Sequence, residues 1–494
     1  LGFTALLLLL LPFLILFNSY LKRRRRPPGP PGLPLIGNLF QLDQSEPPHI
    51  HLWQLAKKYG PIMRLKFGSV PVLVVSSSDM AEEVLKTHDL VFCSRPKLLG
   101  QQKLTYDNSD VAFTPYGDSW RELRKICVLH LLSNKQVQSF SPIREDEVQE
   151  MMKKISAHAS RGEVANLSSI AVSFTSNLIC RVAFGMRSDE NWPCMEKFDE
   201  LMLESQAMQG GFFVSDYMPL FGWVDRFSGM IDRLERVSKE LDEFYEKLID
   251  AHLDPDSSAS LKNDLLAILI QLKANNSSPV DITWENIKGI LLDILAGGTD
   301  TSATTIVWAM TTLMQNPEIM SRLGREVRDA VGIGGKATED DVSKCPYLKA
   351  VVKEILRMYP PAPLLIPRES QKDCVIRGYE IEAKTMVYVN AWAIGRDPEN
   401  WENPQQFIPE RFLNGEADLI GKNFEAIPFG AGRRVCPGIS TGLATVELAL
   451  ANLIYGFDWE LPNGMEIKDI DTDVTPGITI AKKVPLCLVP KKFQ

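Results

Sequence analysis

Pro428-Phe429-Gly430-Ala431-Gly432-Arg433-Arg434-Val435-Cys436-Pro437-Gly438 is the stretch on which the reading of this chain turns. It runs straight into an amphipathic segment with Ile439, Leu443, Val446, Leu450 and Leu453 on one helical face. Proline favours the first position of a helix, which puts Cys436 at the N-cap. There the helix dipole and free amide donors favour a thiolate over a thiol. Gly430 and Gly432 let the backbone turn tightly and approach something flat and bulky, and Arg434 offers a cation to carboxylates on it. These parts suit a thiolate bound to a metal. Two other readings stay open on this peptide alone: a glycine-rich turn whose cysteine happens to cap a helix, and a dinucleotide loop. The second lacks the expected preceding strand and following acidic residue.

Towards the N-terminus, Gly297-Gly298-Thr299-Asp300-Thr301-Ser302 interrupts a helical pattern spanning 284–315. Three- and four-residue steps put Ile294, Gly298, Thr301 and Thr305 on one face. Paired glycines weaken the helix and leave a groove fit for a small molecule held against a cofactor, with hydroxyls to bond the freed carbonyls. Glu354 and Arg357 share a helix face, as do Trp120 and Arg124 in the helical stretch 117–131. Each pattern also has an ordinary reading: a packed Thr-rich helix, a surface ion pair, a core aromatic beside a solvated base.

The spacing of Phe429, Gly432, Arg434, Cys436 and Gly438 resembles the haem-binding signature of the cytochrome P-450 family. The threonine and glycine segment resembles that family's oxygen-activation motif, with Gly297 where alanine is more common. The resemblance covers the whole chain and is closest to the plant microsomal A-type group, as in Ala391-Trp392-Ala393-Ile394-Gly395-Arg396-Asp397-Pro398. It implies haem b with Cys436 as the axial iron ligand, and Trp120, Arg124, Arg368, Phe429, Arg434 and Gly438 among the haem-binding residues. Thr301 then hydrogen-bonds the bound oxygen and Asp300 helps bring protons from solvent. Glu354, Arg357 and Arg411 of Pro409-Glu410-Arg411-Phe412 form a structural triad. Phe113, Ile294, Gly298, Leu365 and Ile478 line the substrate pocket. Glu382 departs from the group, which usually has proline there, and only a local loop effect is expected.

The body, residues 37–494, is expected to be one large haem-thiolate monooxygenase domain, mainly α with a small β-sheet region. Helical spacing recurs at 79–87, 117–131, 142–158, 228–252, 284–315, 317–331, 346–357 and 438–455. Met63, Leu65 and Phe67 alternate with basic residues before Val72–Val75, which reads as a hairpin, and Met386–Val389 as a further strand. A net charge of -8 offers no nucleic-acid footprint. The eight cysteines are scattered, without a C-x-x-C pair, so they read as thiols in a reducing compartment. The six histidines include no helical i, i+4 pair.

Leu1–Phe17 is almost wholly apolar, and residues 1–21 reach the length that crosses a hydrocarbon core. Lys22 and Arg23–Arg26 then stop it, which favours a transmembrane anchor over a cleaved signal and keeps the rest cytosolic. Residues 22–36, basic and then proline-rich from Pro27 to Pro34, read as a hinge. The expected location is the endoplasmic reticulum membrane, single-pass, catalytic domain facing the cytosol.

No flavin or nicotinamide domain is recognisable, and Gly332-Ile333-Gly334-Gly335 follows a helical stretch instead of a strand. The resemblance implies an NADPH-dependent flavoprotein reductase, with cytochrome b5 as a possible second donor, O2, membrane lipid and a small hydrophobic substrate. Arg121, Lys125, Lys135 and Arg433 are candidates for meeting an acidic partner. The competing activity is a haem-thiolate isomerase or dehydratase needing no external electrons, and Asp300 with Thr301 argues against it. A non-catalytic haem sensor or carrier is disfavoured by the oxygen groove. Relatives in the group act on terpenoids, phenylpropanoids, alkaloids or aldoximes, and residues 221–248 with 475–483 look most like the aldoxime-handling subgroup.

Overall fold

The computed structural model describes residues 25–42, 46–189, 198–255, 264–275, 281–333, 335–413, 419 and 423–493. The expected anchor, the start of the basic run, Cys194 and Gly334 lie outside the described residues.

Helices follow the apolar periodicity most closely where caps are strong. Trp284–Gln315 opens at a capping box in which the Thr283 hydroxyl accepts from Asn286 N and the Asn286 side chain accepts from Thr283 N. It ends where Pro317 starts the next helix, Pro317–Val331, so both expected boundaries hold. This long helix is the axis of the core. Leu291, Leu295, Ile306, Trp308 and Leu313 are buried, each worth about 1.5–3 kcal/mol or more if fully removed from water. It packs against Leu167–Phe184 and Ile439–Gly456. Those two are apolar and long enough to cross a membrane, but here they are core helices.

Two expected helices change form partway. Residues 79–87 turn from α-helix into a π turn at Glu83–Thr87, and 117–131 do so at Cys127–Leu131. The wider turn lets Ile126 and Leu131, five residues apart, both face the core.

The strands are β1 Ile62–Phe67, β2 Val70–Val75, β3 Ala165–Asn166, β4 Arg368–Glu369, β5 Cys374–Ile376, β6 Tyr379–Ile381, β7 Met386–Val389, β8 Phe457–Glu460 and β9 Cys487–Lys492. The main sheet has the order β1-β2-β7-β4. β1 and β2 form the expected antiparallel hairpin, with Leu65 opposite Val72, while β7 joins β2 in parallel, Val72 opposite Met386.

The basic and proline-rich stretch is bound to β1 of this sheet and to β6 of the separate β5–β6 pair. Arg64 N donates to Pro28 O at 2.8 Å, and Glu380 N donates to Arg25 O at 2.6 Å. A Cβ at Gly29 would stand 1.9 Å from Arg64 O, so only glycine allows that approach. Glu382, where proline was expected, pairs with Arg26 and lies 3.8 Å from Arg64.

Candidate active site

The cysteine peptide arrives as a short 3-10 turn, Gly432–Arg434, and the following helix has its N-cap at Gly438. Cys436 is therefore two residues before the cap, which corrects the N-cap expectation. The helix end still reaches it, because Gly438 N donates to Cys436 Sγ at 3.3 Å. Burial raises the Cys436 thiol above its ordinary range, against the pull of the Gly438 amide and Arg124. A metal cation coordinated by the sulfur would favour its thiolate form. Gly430 and Gly432 are left-handed, at φ 68° and 70°. A Cβ at Gly432 would sit 2.1 Å from Leu85 O, so its close approach is to the chain rather than to a bulky group.

Four predicted side chains converge on this peptide and the loop beside it. Arg434 donates through Nε to Cys93 O at 2.7 Å and through its terminal nitrogens to Val111 O at 3.1 Å and Thr114 O at 2.6 Å. Its guanidinium lies 4.1 Å from the Trp120 ring centroid. Trp120 Nε1 donates to the same Val111 O at 3.0 Å. Arg124 bonds Val435 O, and Arg368 bonds Ala431 O at 2.8 Å and meets Asp89 at 3.3 Å. Sequence reasoning missed Arg95, which is buried and bonds Ala112 O, Ile366 O and Pro367 O at 2.6–2.8 Å. No periodicity marks it in Cys93-Ser94-Arg95-Pro96. Burial and the neighbouring Arg368 push Arg434 down to about 9, the mark of a cation short of negative charge. Arg95 is lowered too, by burial and then by Arg434 and Arg368.

On the long helix, Gly297 and Gly298 face different surroundings. A Cβ at Gly298 would meet Ile179 Cδ1 at 2.5 Å, whereas nothing lies within 4 Å of one at Gly297. Gly298 is thus a packing glycine and Gly297 the one that faces open space. Ile294, one turn before Gly298, lines a small apolar cavity with Leu178, Ile179 and Thr441. Ile294 and Gly298, expected at the substrate pocket, thus both lie beside Ile179. Thr301 Oγ1 donates to Gly297 O at 2.6 Å and Thr305 Oγ1 to Thr301 O at 2.7 Å, so hydroxyls do satisfy carbonyls around the glycines. Burial raises Asp300 to about 6, opposed by a hydrogen bond with the Gln206 side chain.

Phe113 is buried, with its N–H held by Asp110. Leu365 is left-handed at φ 53°, and its Cδ1 lies 3.7 Å from where a Gly430 Cβ would stand. Ile478 meets Gly210, at the end of helix Phe198–Gln209. Phe429 is half-buried, and its carbonyl accepts from Cys436 N at 3.0 Å. Glu354, Arg357 and Arg411 come together: Arg357 binds both Glu354 oxygens at 2.7 Å, and Arg411 Nε stands 3.5 Å from one of them.

The profile of the family described as Cytochrome P450 matches residues 27–488. This chain belongs to the cytochrome P450 family. A 6,7,8-trihydroxycoumarin synthase from Pastinaca sativa is 49% identical over 95% of this chain and 93% of its own length. Strychnine-11-hydroxylase from Strychnos nux-vomica is 46% identical over 94% and 91%. A zebra fish cytochrome P450 solved with progesterone superposes at a TM-score of 0.77, with 26% identity over 90% of this chain and all of that one.

As a cytochrome P450 the chain is a haem-thiolate monooxygenase with a cysteine axial ligand. Its residues fit that group. Arg434, Arg368 and Arg95 concentrate buried positive charge that haem propionates would balance. The cysteine helix has no atom within 4 Å of a Cβ placed at Gly442, as the long helix has none at Gly297, and each leaves room for a flat ring system.

Proposed function

We propose that this cytochrome P450 inserts one atom of O2 into a planar aromatic plant metabolite of the coumarin class, the other atom leaving as water with two electrons and two protons. The single observation that carries the reading is the gathering of Trp120, Arg124, Arg368 and Arg434 around the Cys436 peptide and loop 111–114 beside it, in a chain 49% identical to a trihydroxycoumarin synthase. A thiolate-bound haem supplies the oxygen-cleaving chemistry. Cys436 provides the thiolate, and Trp120, Arg124, Arg368, Arg434 and Arg95 secure the propionate side. Thr301 and Asp300 hold and pass protons from solvent. Phe113, Leu365 and Ile478 give an apolar wall, and Gly297 leaves depth for a flat ring. The coumarin reading is preferred to the aldoxime one because several of the most similar relatives are named for coumarin or furanocoumarin oxidation.

Electrons come, in this reading, from an NADPH-dependent flavoprotein reductase, with cytochrome b5 as a second donor. Exposed Arg121, Lys125 and Arg433 offer a basic face for it, although each already has an acidic neighbour within 4 Å. The chain sits on the cytosolic side of the endoplasmic reticulum, held by residues 1–21. Exposed Leu220, Phe221, Trp223 and Phe227 support a membrane-facing edge. So do exposed Leu33, Leu35 and Phe40, since Gly68 N bonds Ile36 O and Ser69 N bonds Tyr217 O across one hairpin turn.

The test is the reduced, carbon-monoxide-bound spectrum of wild type beside Cys436→Ala, followed by incubation of wild type with reductase, NADPH and xanthotoxin or coumarin. A red-shifted band lost in the variant, and a product heavier by one oxygen, are expected. Absence of that band in wild type sinks the site assignment. A normal band without oxygenation of either compound sinks the substrate class alone.

A further inference from the structure

Loop 108–114 has its backbone groups accounted for by side chains from three directions. Asp293 of the long helix accepts from Val111 N at 2.7 Å and Ala112 N at 3.1 Å, and Asp110 accepts from Phe113 N at 2.9 Å. The carbonyls of Val111, Ala112, Phe113 and Thr114 accept from Arg434, Arg95 and Asn108. Asn286 Nδ2 bonds Ser109 O at 3.0 Å. Between Asn286 and Asp293 on the same helix face stands Gly289, where a Cβ would lie 3.0 Å from Ser109 O and 3.3 Å from Asp110 Cα. The loop opens on the last of three consecutive left-handed residues, Tyr106, Asp107 and Asn108, at φ 52°, 58° and 62°. L residues adopt that conformation reluctantly, so the bonds to the loop hold it against its own preference.

Asp110 is fully buried and Asp293 partly so, and their side chains meet in a hydrogen bond. Burial raises both carboxyls and Asp110 raises Asp293 further, which favours one proton held between the two. Asp293 spends one oxygen on two amides, leaving the other to carry the proton and donate to Asp110.

We propose that Asp293 and Asp110 share one proton and act as a positioning pair. Without touching ligand, they pin loop 108–114 against the Asn286–Gly289–Asp293 face and so set Phe113 as a fixed pocket wall. The pocket part rests on the haem-site reading above. The pinning itself does not.

Asn carries an amide donor where a protonated Asp carries its hydroxyl, which makes Asp293→Asn the conservative replacement. Asp293→Ala removes the bonds, and Gly289→Ala keeps every polar partner but pushes Ser109 away, in a helix that alanine otherwise favours. Amide hydrogen exchange in residues 108–114 and titrations of the haem-loaded full chain with imidazole and with clotrimazole read the effect. Loss of the clamp is expected to speed exchange about tenfold or more and to weaken clotrimazole about tenfold in the Ala variants. Imidazole affinity should stay within about twofold, and Asp293→Asn should match wild type. Unchanged exchange in both Ala variants overturns the clamp. Equal damage from Asp293→Asn overturns the shared proton, and faster exchange with unchanged clotrimazole affinity overturns the wall. If Asp293→Ala exchanges throughout the chain as an unfolded protein, Gly289→Ala decides, and wild-type behaviour there overturns the proposal. The exchange measurement needs no haem, so failure of the haem reading would show separately, as a missing carbon-monoxide band.

Discussion

Glu354 and Arg357 face each other one helical turn apart without solvent exposure, joined by two bonds of 2.7 Å from Arg357 Nε and a terminal nitrogen to the two Glu354 oxygens. Arg357 also bonds the carbonyls of Gly395, Pro404 and Gln406, and Glu354 accepts from Ile408 N at 2.9 Å. The pair thus fastens the chain leading into the cysteine peptide. Removing one partner strands a buried charge, at a cost of about 3–5 kcal/mol. Glu354→Ala is expected to give little soluble, haem-loaded protein. Arg357→Lys should fare nearly as badly, because a lysine cannot form the two-pronged contact. Thermal unfolding and haem-to-protein ratio are the measurements.

The two adjacent glycines should respond oppositely to alanine. At Gly298 the new methyl meets Ile179 at 2.5 Å, and overpacking of this kind costs about 1–3 kcal/mol. Gly297→Ala has free space and should raise the melting temperature slightly, by relief of about 0.5–1 kcal/mol of helix penalty. Shortening the neighbour, as Gly298→Ala with Ile179→Val, should restore part of the loss. A melting series on the four proteins distinguishes these outcomes.

Asp300 holds its proton to about pH 6, above the ordinary carboxylate range, because burial disfavours its charge. The folded chain therefore binds more protons than the unfolded one between about pH 4 and pH 6, and Asp300 subtracts from stability as pH rises through that window. Asp300→Asn should unfold at nearly the wild-type temperature below about pH 4, and at a higher one above pH 6. If Asp300 feeds protons to the reaction, the same variant also loses turnover and the limb of its pH–rate profile near pH 6.

Arg434 makes three bonds to backbone carbonyls, and burial with the neighbouring Arg368 lowers it to about 9. Arg434→Lys cannot reach all three and should lower haem occupancy several-fold at equal protein yield, by about 1–2 kcal/mol of lost contacts. Haem absorbance per polypeptide checks it. Occupancy equal to wild type would remove Arg434 from the haem-holding set.

Much of this was legible because the deciding signals are local. The long helix has a capping threonine at one end and Pro317 at the other, so its limits were readable to the residue. The Glu354–Arg357 pair and the cysteine peptide come from short spacings, while Arg411 was implied only by the family resemblance. Cys436 was misplaced relative to the helix because Pro437 suggested a start that the chain delays to Ile439. The contact of Gly298 with Ile179 was not legible because periodicity gives a face but not which neighbour occupies it, and Ile179 is more than a hundred residues away. Asp293 and Arg95 escaped notice for a related reason: their partners are backbone groups of distant loops, which carry no sequence identity. Asp293 did leave one trace, a lone acid inside Gly289-Ile290-Leu291-Leu292-Asp293-Ile294-Leu295.

The stitched proline stretch has a mechanical consequence. Because Pro28 and Arg25 carry main-chain bonds to β1 and β6, and Gly29 rides directly on Arg64, the prolines form a flange and not a swivel. The catalytic body cannot turn about residues 25–29 without breaking those bonds, so this stretch moves with the sheets as one rigid piece.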